Sequence, residues 1–153
     1  MTPVWLDVGD VLSRQAEAVP HEGIDLIKDI RGWEVFADPL FEKVLYNLVE
    51  NAVRHGEPIS RIQFSAAHRE TELVITCEDD GVGIPEELKD RVFKREYYKN
   101  TGFGLYLSRE ILGITGISIR ENGVPGKGAK FEIVVPPGAF RPRSMEVRVP
   151  ARK

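Results

Sequence analysis

One cysteine, Cys77, is all the thiol chemistry in the 153 residues, so no internal disulfide can form. It stands in the alternating apolar stretch Leu73 to Glu78, where a buried, inert thiol is expected rather than a nucleophile. This fits a reducing compartment. No apolar run reaches the roughly 18–20 residues of a membrane span, and the amino terminus has no basic-then-apolar leader. The expectation is a cytoplasmic chain without membrane contact of its own, whose longer parent is free to be membrane-bound. A positive excess is missing too. The net charge is −3, which argues against nucleic acid as a partner. Internal repeats and low-complexity tracts are absent as well.

What is present suits one globular domain. Apolar residues make up 42% of the chain, and a chain of this length buries roughly 68–70% of its unfolded surface. Alternation and turn residues predict strands at Thr2 to Asp7, Ile24 to Ile30, Trp33 to Phe36, Arg61 to Arg69, Leu73 to Glu78, Ile117 to Glu121 and Lys130 to Val135. The second and third are expected to form a hairpin across Arg31-Gly32. Helices are predicted over Val8 to Ala18, briefly over Glu86 to Phe93, and over Gly102 to Ile114. Few βαβ repeats occur. This order argues for an α+β fold, a two-layer sandwich whose mixed β-sheet is covered on one face by helices. Past Pro136-Pro137 the chain turns basic and proline-containing, so residues 1–137 are read as the domain and 138–153 as a tail or linker.

The stretch from Asp38 to Gly56 organises the rest. Asp38 suits an N-cap, Pro39 the first helical position and Gly56 the far end, which predicts one long helix. At about 100° per residue, Phe41, Val44, Leu45, Leu48, Val49 and Ala52 share one face, and Lys43, Asn47, Glu50, Asn51 and Arg54 the other. Asn47 and Asn51 are four apart and point the same way, with Arg54 nearby. Amide oxygens are hard ligands that suit magnesium, and arginine suits phosphate. The grouping suggests a nucleotide.

Two glycine stretches complete the pattern. Asp79-Asp80-Gly81-Val82-Gly83-Ile84-Pro85 follows a strand, and a carboxylate there can accept a hydrogen bond from an exocyclic amine such as adenine's. Asn100-Thr101-Gly102-Phe103-Gly104-Leu105 opens a helix, whose free N–H groups and dipole favour phosphate. Between them, Lys89, Arg91, Lys94, Arg95 and Lys99 form a locally basic segment suited to covering a triphosphate.

Together, Asn47 to Ala52, Asp80 to Pro85 and Thr101 to Leu105, with Asp38-Pro39 and Phe93, resemble the asparagine and glycine boxes of the histidine-kinase catalytic domain. This is the Bergerat ATP-binding fold, shared with gyrase-type and chaperone-type ATPases. The resemblance implies that Asn47 and Asn51 hold magnesium and phosphate oxygens, with Asn51 the principal metal ligand. It implies Arg54 near the phosphates, with Asn47 and Arg54 serving transfer, and His55 beside the nucleotide. Asp80 would take the adenine amine. Gly81, Gly83 and Ile84 would line the base, and Thr101, Gly102, Phe103, Gly104 and Leu105 the phosphate side. Asn100 and Ala129 depart from the pattern, where glycine and threonine are usual, and the lid segment is short.

By this resemblance the chain binds ATP and magnesium as the catalytic domain of a two-component sensor kinase. The phosphoryl acceptor would be a histidine on a separate dimerisation domain, and a response regulator the next partner. His21, in a turn, lacks the helical setting of such an acceptor. The serine kinases that antagonise sigma factors place a glutamate general base where this chain has Asn47, which disfavours that alternative. A nucleotide-binding scaffold without transfer activity is the other.

Overall fold

The computed structural model describes residues 2–30, 32–55, 58–94 and 104–143. Strand β1 (Val4–Asp7) runs directly into helix α1 (Val8–Glu17), because Asp7 is both the last strand residue and the N-cap, its side chain accepting the Asp10 N–H at 3.0 Å. Val8, Val11, Leu12 and Ala16 line the buried face of α1. Next come β2 (Asp25–Asp29) and β3 (Trp33–Ala37), which do not form the expected hairpin. Strand β2 pairs in parallel with β4 (Arg61–Arg69), whereas β3 pairs antiparallel with β1. Gly32, at φ +94, turns the chain from one sheet to the other.

Helix α2 spans Phe41–His55. It opens two residues later than predicted because Asp38 caps a tighter turn: its Oδ1 accepts the Leu40 N–H at 2.8 Å, and Lys43 N–H reaches the Leu40 carbonyl at 2.8 Å. The predicted apolar face is the one buried, with Phe41, Val44, Leu45, Leu48, Val49 and Ala52 all in the core. Each large member contributes about 1.5–3 kcal/mol, so one charge at Leu45 would outweigh several surface contacts.

Strand β5 (Glu72–Asp79) is the middle of a five-stranded mixed sheet ordered β2-β4-β5-β7-β6, with β6 at Ser118–Glu121 and β7 at Lys130–Val135. Its alternation divides the sheet. Leu73, Ile75 and Cys77 join the core with the helices, while Val74, Thr76, Glu132 and Val134 are buried outside that cluster. Burial pushes the Cys77 thiol strongly up, and its ionised form is correspondingly scarce. Glu132 is neutralised by Arg120, whose Nε lies 2.6 Å from Oε1.

After the glycine loop, two 3₁₀ turns at Glu86–Leu88 and Arg91–Phe93 replace the single short helix expected there. Helix α3 follows at Gly104–Gly113. The fold continues beyond the boundary read at residue 137. Strand β8 (Phe140–Pro142) pairs antiparallel with β3, completing a three-stranded sheet ordered β1-β3-β8. The Phe140 ring meets Trp33 and His68 edge-on, and the Arg141 guanidinium lies 3.9 Å from the Trp5 ring centre. Arg143 pairs with Asp7 at 3.2 Å. The basic and proline residues that resembled a linker here hold the small sheet together.

Candidate functional site

Helices α2 and α3 lie against each other through the polar face of α2. The Asn47 amide nitrogen donates to the Gly104 carbonyl at 3.3 Å and contacts the buried Ser108 Oγ at 3.4 Å. A Cβ at Gly104 would sit 3.5 Å from the Asn47 side chain, an ordinary van der Waals contact, so the two helices meet closely here without requiring glycine. With its nitrogen held by α3, Asn47 has its amide oxygen left for another partner. One turn further, the half-buried Asn51 side chain has no hydrogen-bond partner among the described residues. Arg54 is half-exposed and pairs with Glu50 at 3.3 Å, a surface i,i+4 contact worth about 0.3–0.5 kcal/mol.

Leu105 is a core residue, 2% exposed, so its side chain packs inward rather than lining a ligand surface. Ile84 is half-buried against the core cluster. His55 closes α2, while Thr101, Gly102 and Phe103 lie outside the described residues, as does the 95–100 stretch with Asn100.

At the end of β5 the two neighbouring carboxylates have different tasks. Asp80, expected to take the adenine amine, instead ties the loop to the start of β4. Its Oδ1 accepts the N–H groups of Ser60 at 2.9 Å and Arg61 at 3.0 Å, and its Oδ2 accepts the Ser60 hydroxyl. The Ser60 hydroxyl and backbone bonds hold the Asp80 carboxyl down at about 2.

Asp79 lies on the helix-covered side of the sheet, continuing the Leu73, Ile75, Cys77 alternation and pairing with buried Ile62 across the strand. Its Oδ1 accepts the N–H groups of Gly81 at 2.9 Å and Ala129 at 3.1 Å. Among the described residues none donates to its Oδ2. Burial pushes the Asp79 carboxyl up, a shift the two backbone bonds partly offset. Such a group is a desolvated acceptor oriented by backbone, short of a partner. The period-two pattern of β5 already separates the two aspartates. Their adjacency in sequence hides this.

The glycine loop is locked to the β6–β7 turn, backbone on backbone. Gly128, at φ +128, lies so near the Asp79 carbonyl that a Cβ would stand 2.0 Å from its oxygen. Gly83, at φ +75, leaves only 2.9 Å between an added Cβ and the Gly128 oxygen. The Gly126 N–H donates to the Val82 carbonyl at 2.8 Å. Ala129, where a threonine is usual in the resembled family, supplies its backbone: its N–H binds the Asp79 carboxylate, and its carbonyl accepts the Asp79 N–H at 3.0 Å.

A mixed sheet backed by helices, an asparagine-bearing helix and a carboxylate fixed above a glycine loop define an α+β ATPase-type domain. The chain belongs to the family described as Histidine kinase-, DNA gyrase B-, and HSP90-like ATPase, which matches residues 37–139. It is 33% identical to the adaptive-response sensory kinase SasA of Rippkaea orientalis, over 83% of this chain and 35% of that protein. It is 30% identical to the signal transduction histidine-protein kinase/phosphatase MprB of Mycolicibacterium smegmatis, over 92% of this chain and 33% of the relative. The chain thus spans about a third of the length of these curated relatives. The solved structure of a mycobacterial sensor histidine kinase MprB shares the fold, with a TM-score of 0.81 at 22% identity, covering 93% of this chain and all of that one. Within that family, the chain is similar to the ATPase-type domains of sensor histidine kinases.

Proposed function

We propose that this domain binds ATP with magnesium and presents the γ-phosphoryl group to a histidine on a separate dimerisation domain, from which a response regulator takes it. The observation that carries this reading is the asparagine pair. Asn47 is clamped to α3 through its nitrogen, while Asn51, on the same face, is half-buried with its amide unpartnered among the described residues. Two oriented amide oxygens, with phosphate oxygens from the nucleotide, are the hard donor set that magnesium takes. The ion supplies charge neutralisation at the transferring phosphoryl group. Arg54 adds a positive charge on the same helix, and Gly104 borders the phosphate side.

In this reading the adenine amine is recognised by Asp79 rather than Asp80, because of the two only Asp79 retains an oxygen without a donor among the described residues. Gly81 and Gly83 admit the base, with Ile84 beside it. Asn47 stands where a serine kinase would need its general base, and the relatives found are sensory and histidine kinases. An imidazole acceptor needs less help from a base.

The test is calorimetric binding of ATP with and without magnesium to the parent chain and to Asn51→Ala. Magnesium-dependent binding that Asn51→Ala loses supports the site, and equal binding by both overturns it. Labelled ATP with a cognate dimerisation domain then reports the acceptor. Phosphate on that domain's histidine is expected, with little on this chain alone.

A further inference from the structure

The described residues contain a buried ion pair that the proposed chemistry leaves unused. Lys89, between the two 3₁₀ turns, donates through Nζ to Glu121 Oε1 at the end of β6. The Lys89 side chain is 12% exposed and that of Glu121 fully buried. A surface pair of this kind would be worth little, whereas a desolvated pair holds its two segments in one arrangement. The Glu121 carboxylate also grips the β6–β7 turn, its Oε2 accepting the N–H groups of Gly123 at 3.1 Å and Lys130 at 2.9 Å. The residue next to Lys130 is Ala129, whose N–H holds the Asp79 carboxylate. A second contact fastens the same segments, as the Phe93 ring meets Phe131 edge-on with centres 6.0 Å apart. Lys89 is therefore joined to Asp79 through Glu121 and the turn backbone.

We infer that Lys89 and Glu121 are positioning residues for nucleobase recognition: their ion pair sets the β6–β7 turn, and through Ala129 the aim of Asp79 at the adenine amine. The inference rests on the nucleotide reading above. It makes a specific demand on the ligand. The contact that depends most directly on the turn is the Asp79 carboxylate, held by the Ala129 N–H, so loosening the turn reduces affinity for a base with a 6-amine more than for one without it.

The experiment measures the binding of magnesium-ATP and of purine riboside triphosphate, which carries hydrogen in place of the 6-amine, to the full chain and to two variants. Lys89→Met removes the cation. The double variant Lys89→Met with Glu121→Gln removes both charges while leaving an oxygen for the Gly123 and Lys130 N–H groups, and guards against misfolding from an unpaired buried carboxylate. Thermal unfolding of each variant checks the fold. Expected is a loss of about 5-fold or more in ATP affinity, at the lower end of couplings between linked sites, with purine riboside triphosphate unchanged within about twofold. Equal losses for both nucleotides, or none for either, overturn the positioning role while leaving the nucleotide site intact. A parent chain that binds neither nucleotide overturns the site itself and this inference with it.

Discussion

Replacing Asp79 by asparagine separates recognition from stability. The asparagine oxygen can keep both backbone bonds that Oδ1 now accepts, from Gly81 and Ala129. The other atom changes from an acceptor to an N–H₂ donor, which confronts the donating amine of adenine. A hydrogen bond to a charged group is worth about 1.5–3 kcal/mol net, and about 1.4 kcal/mol is tenfold in affinity, so ATP binding should weaken about 10- to 150-fold. Stability should not fall with it. Burial is the main force raising the Asp79 carboxyl, meaning that its ionised form is disfavoured in the folded chain, and the neutral amide removes that penalty. Asp80→Asn is the matched control. Its oxygens bind Ser60 and Arg61, so ATP affinity should stay within about twofold. Calorimetry with magnesium-ATP and urea unfolding on the same samples read both quantities. If Asp80→Asn loses ten times its affinity or more while Asp79→Asn binds like the parent, the reasoning from the two carboxylates is wrong.

Further expectations rest on the same geometry. Asp80, held at about 2 against an ordinary 3.8, contributes stability that is complete above 3.8 and lost as pH falls towards about 2; Asp80→Asn should flatten that limb of a stability-versus-pH curve, and an unchanged limb would refute the role of Ser60. Asp79 has the opposite sign, because its raised carboxyl binds a proton sooner folded than unfolded and acidification through that range favours the fold. In the β6–β7 turn, Gly128→Ala should cost about 2–4 kcal/mol in urea unfolding, from positive φ plus collision with the Asp79 carbonyl, and Gly126→Ala, with positive φ but open space, only about 1 kcal/mol. Equal costs would show that the backbone contact is not tight. Ending the chain after Pro137 removes β8 and should lower stability by about 2–3 kcal/mol, or about 5–10 °C in melting temperature, whereas an unchanged melt would make β8 dispensable.

The helix that carries Asn47 and Asn51 was legible because its signals agree: six apolar side chains at helical spacing, with polar groups opposite, admit one orientation on a core. Its start was less so, since Asp38 and Pro39 suit a 3₁₀ turn as well as an α-helix, and only the Leu40 bonds decide between them. Strand pairing is a different matter. Ile24 to Ile30 and Trp33 to Phe36 each read as strands, and Arg31-Gly32 reads as a turn, yet nothing local reveals that β2 pairs with a strand some thirty residues further along. The strand at Phe140–Pro142, inside the stretch read as tail or linker, is hidden for the same reason. Phe140 and Arg141 become a strand only because Trp33, His68, Trp5 and Glu34 are already in place. At the site, residue types pointed to a nucleotide, but the choice between Asp79 and Asp80 depended on counting faces along β5. The Lys89–Glu121 pair gave no sequence signal, its members being thirty-two residues apart.

Strand β3 has β1 on one side and β8 on the other, both running against it. The start of β1 lies opposite Ala37 and the end of β8 opposite Trp33, so the two flanking strands pass β3 in the same direction. Tension applied through the residues before β1 and after β8 therefore slides each strand lengthwise along β3. The ladder bonds stand perpendicular to that pull and must yield together rather than one by one. The four residue pairings of β1 and the three of β8 would thus meet a lengthwise load side by side rather than in series.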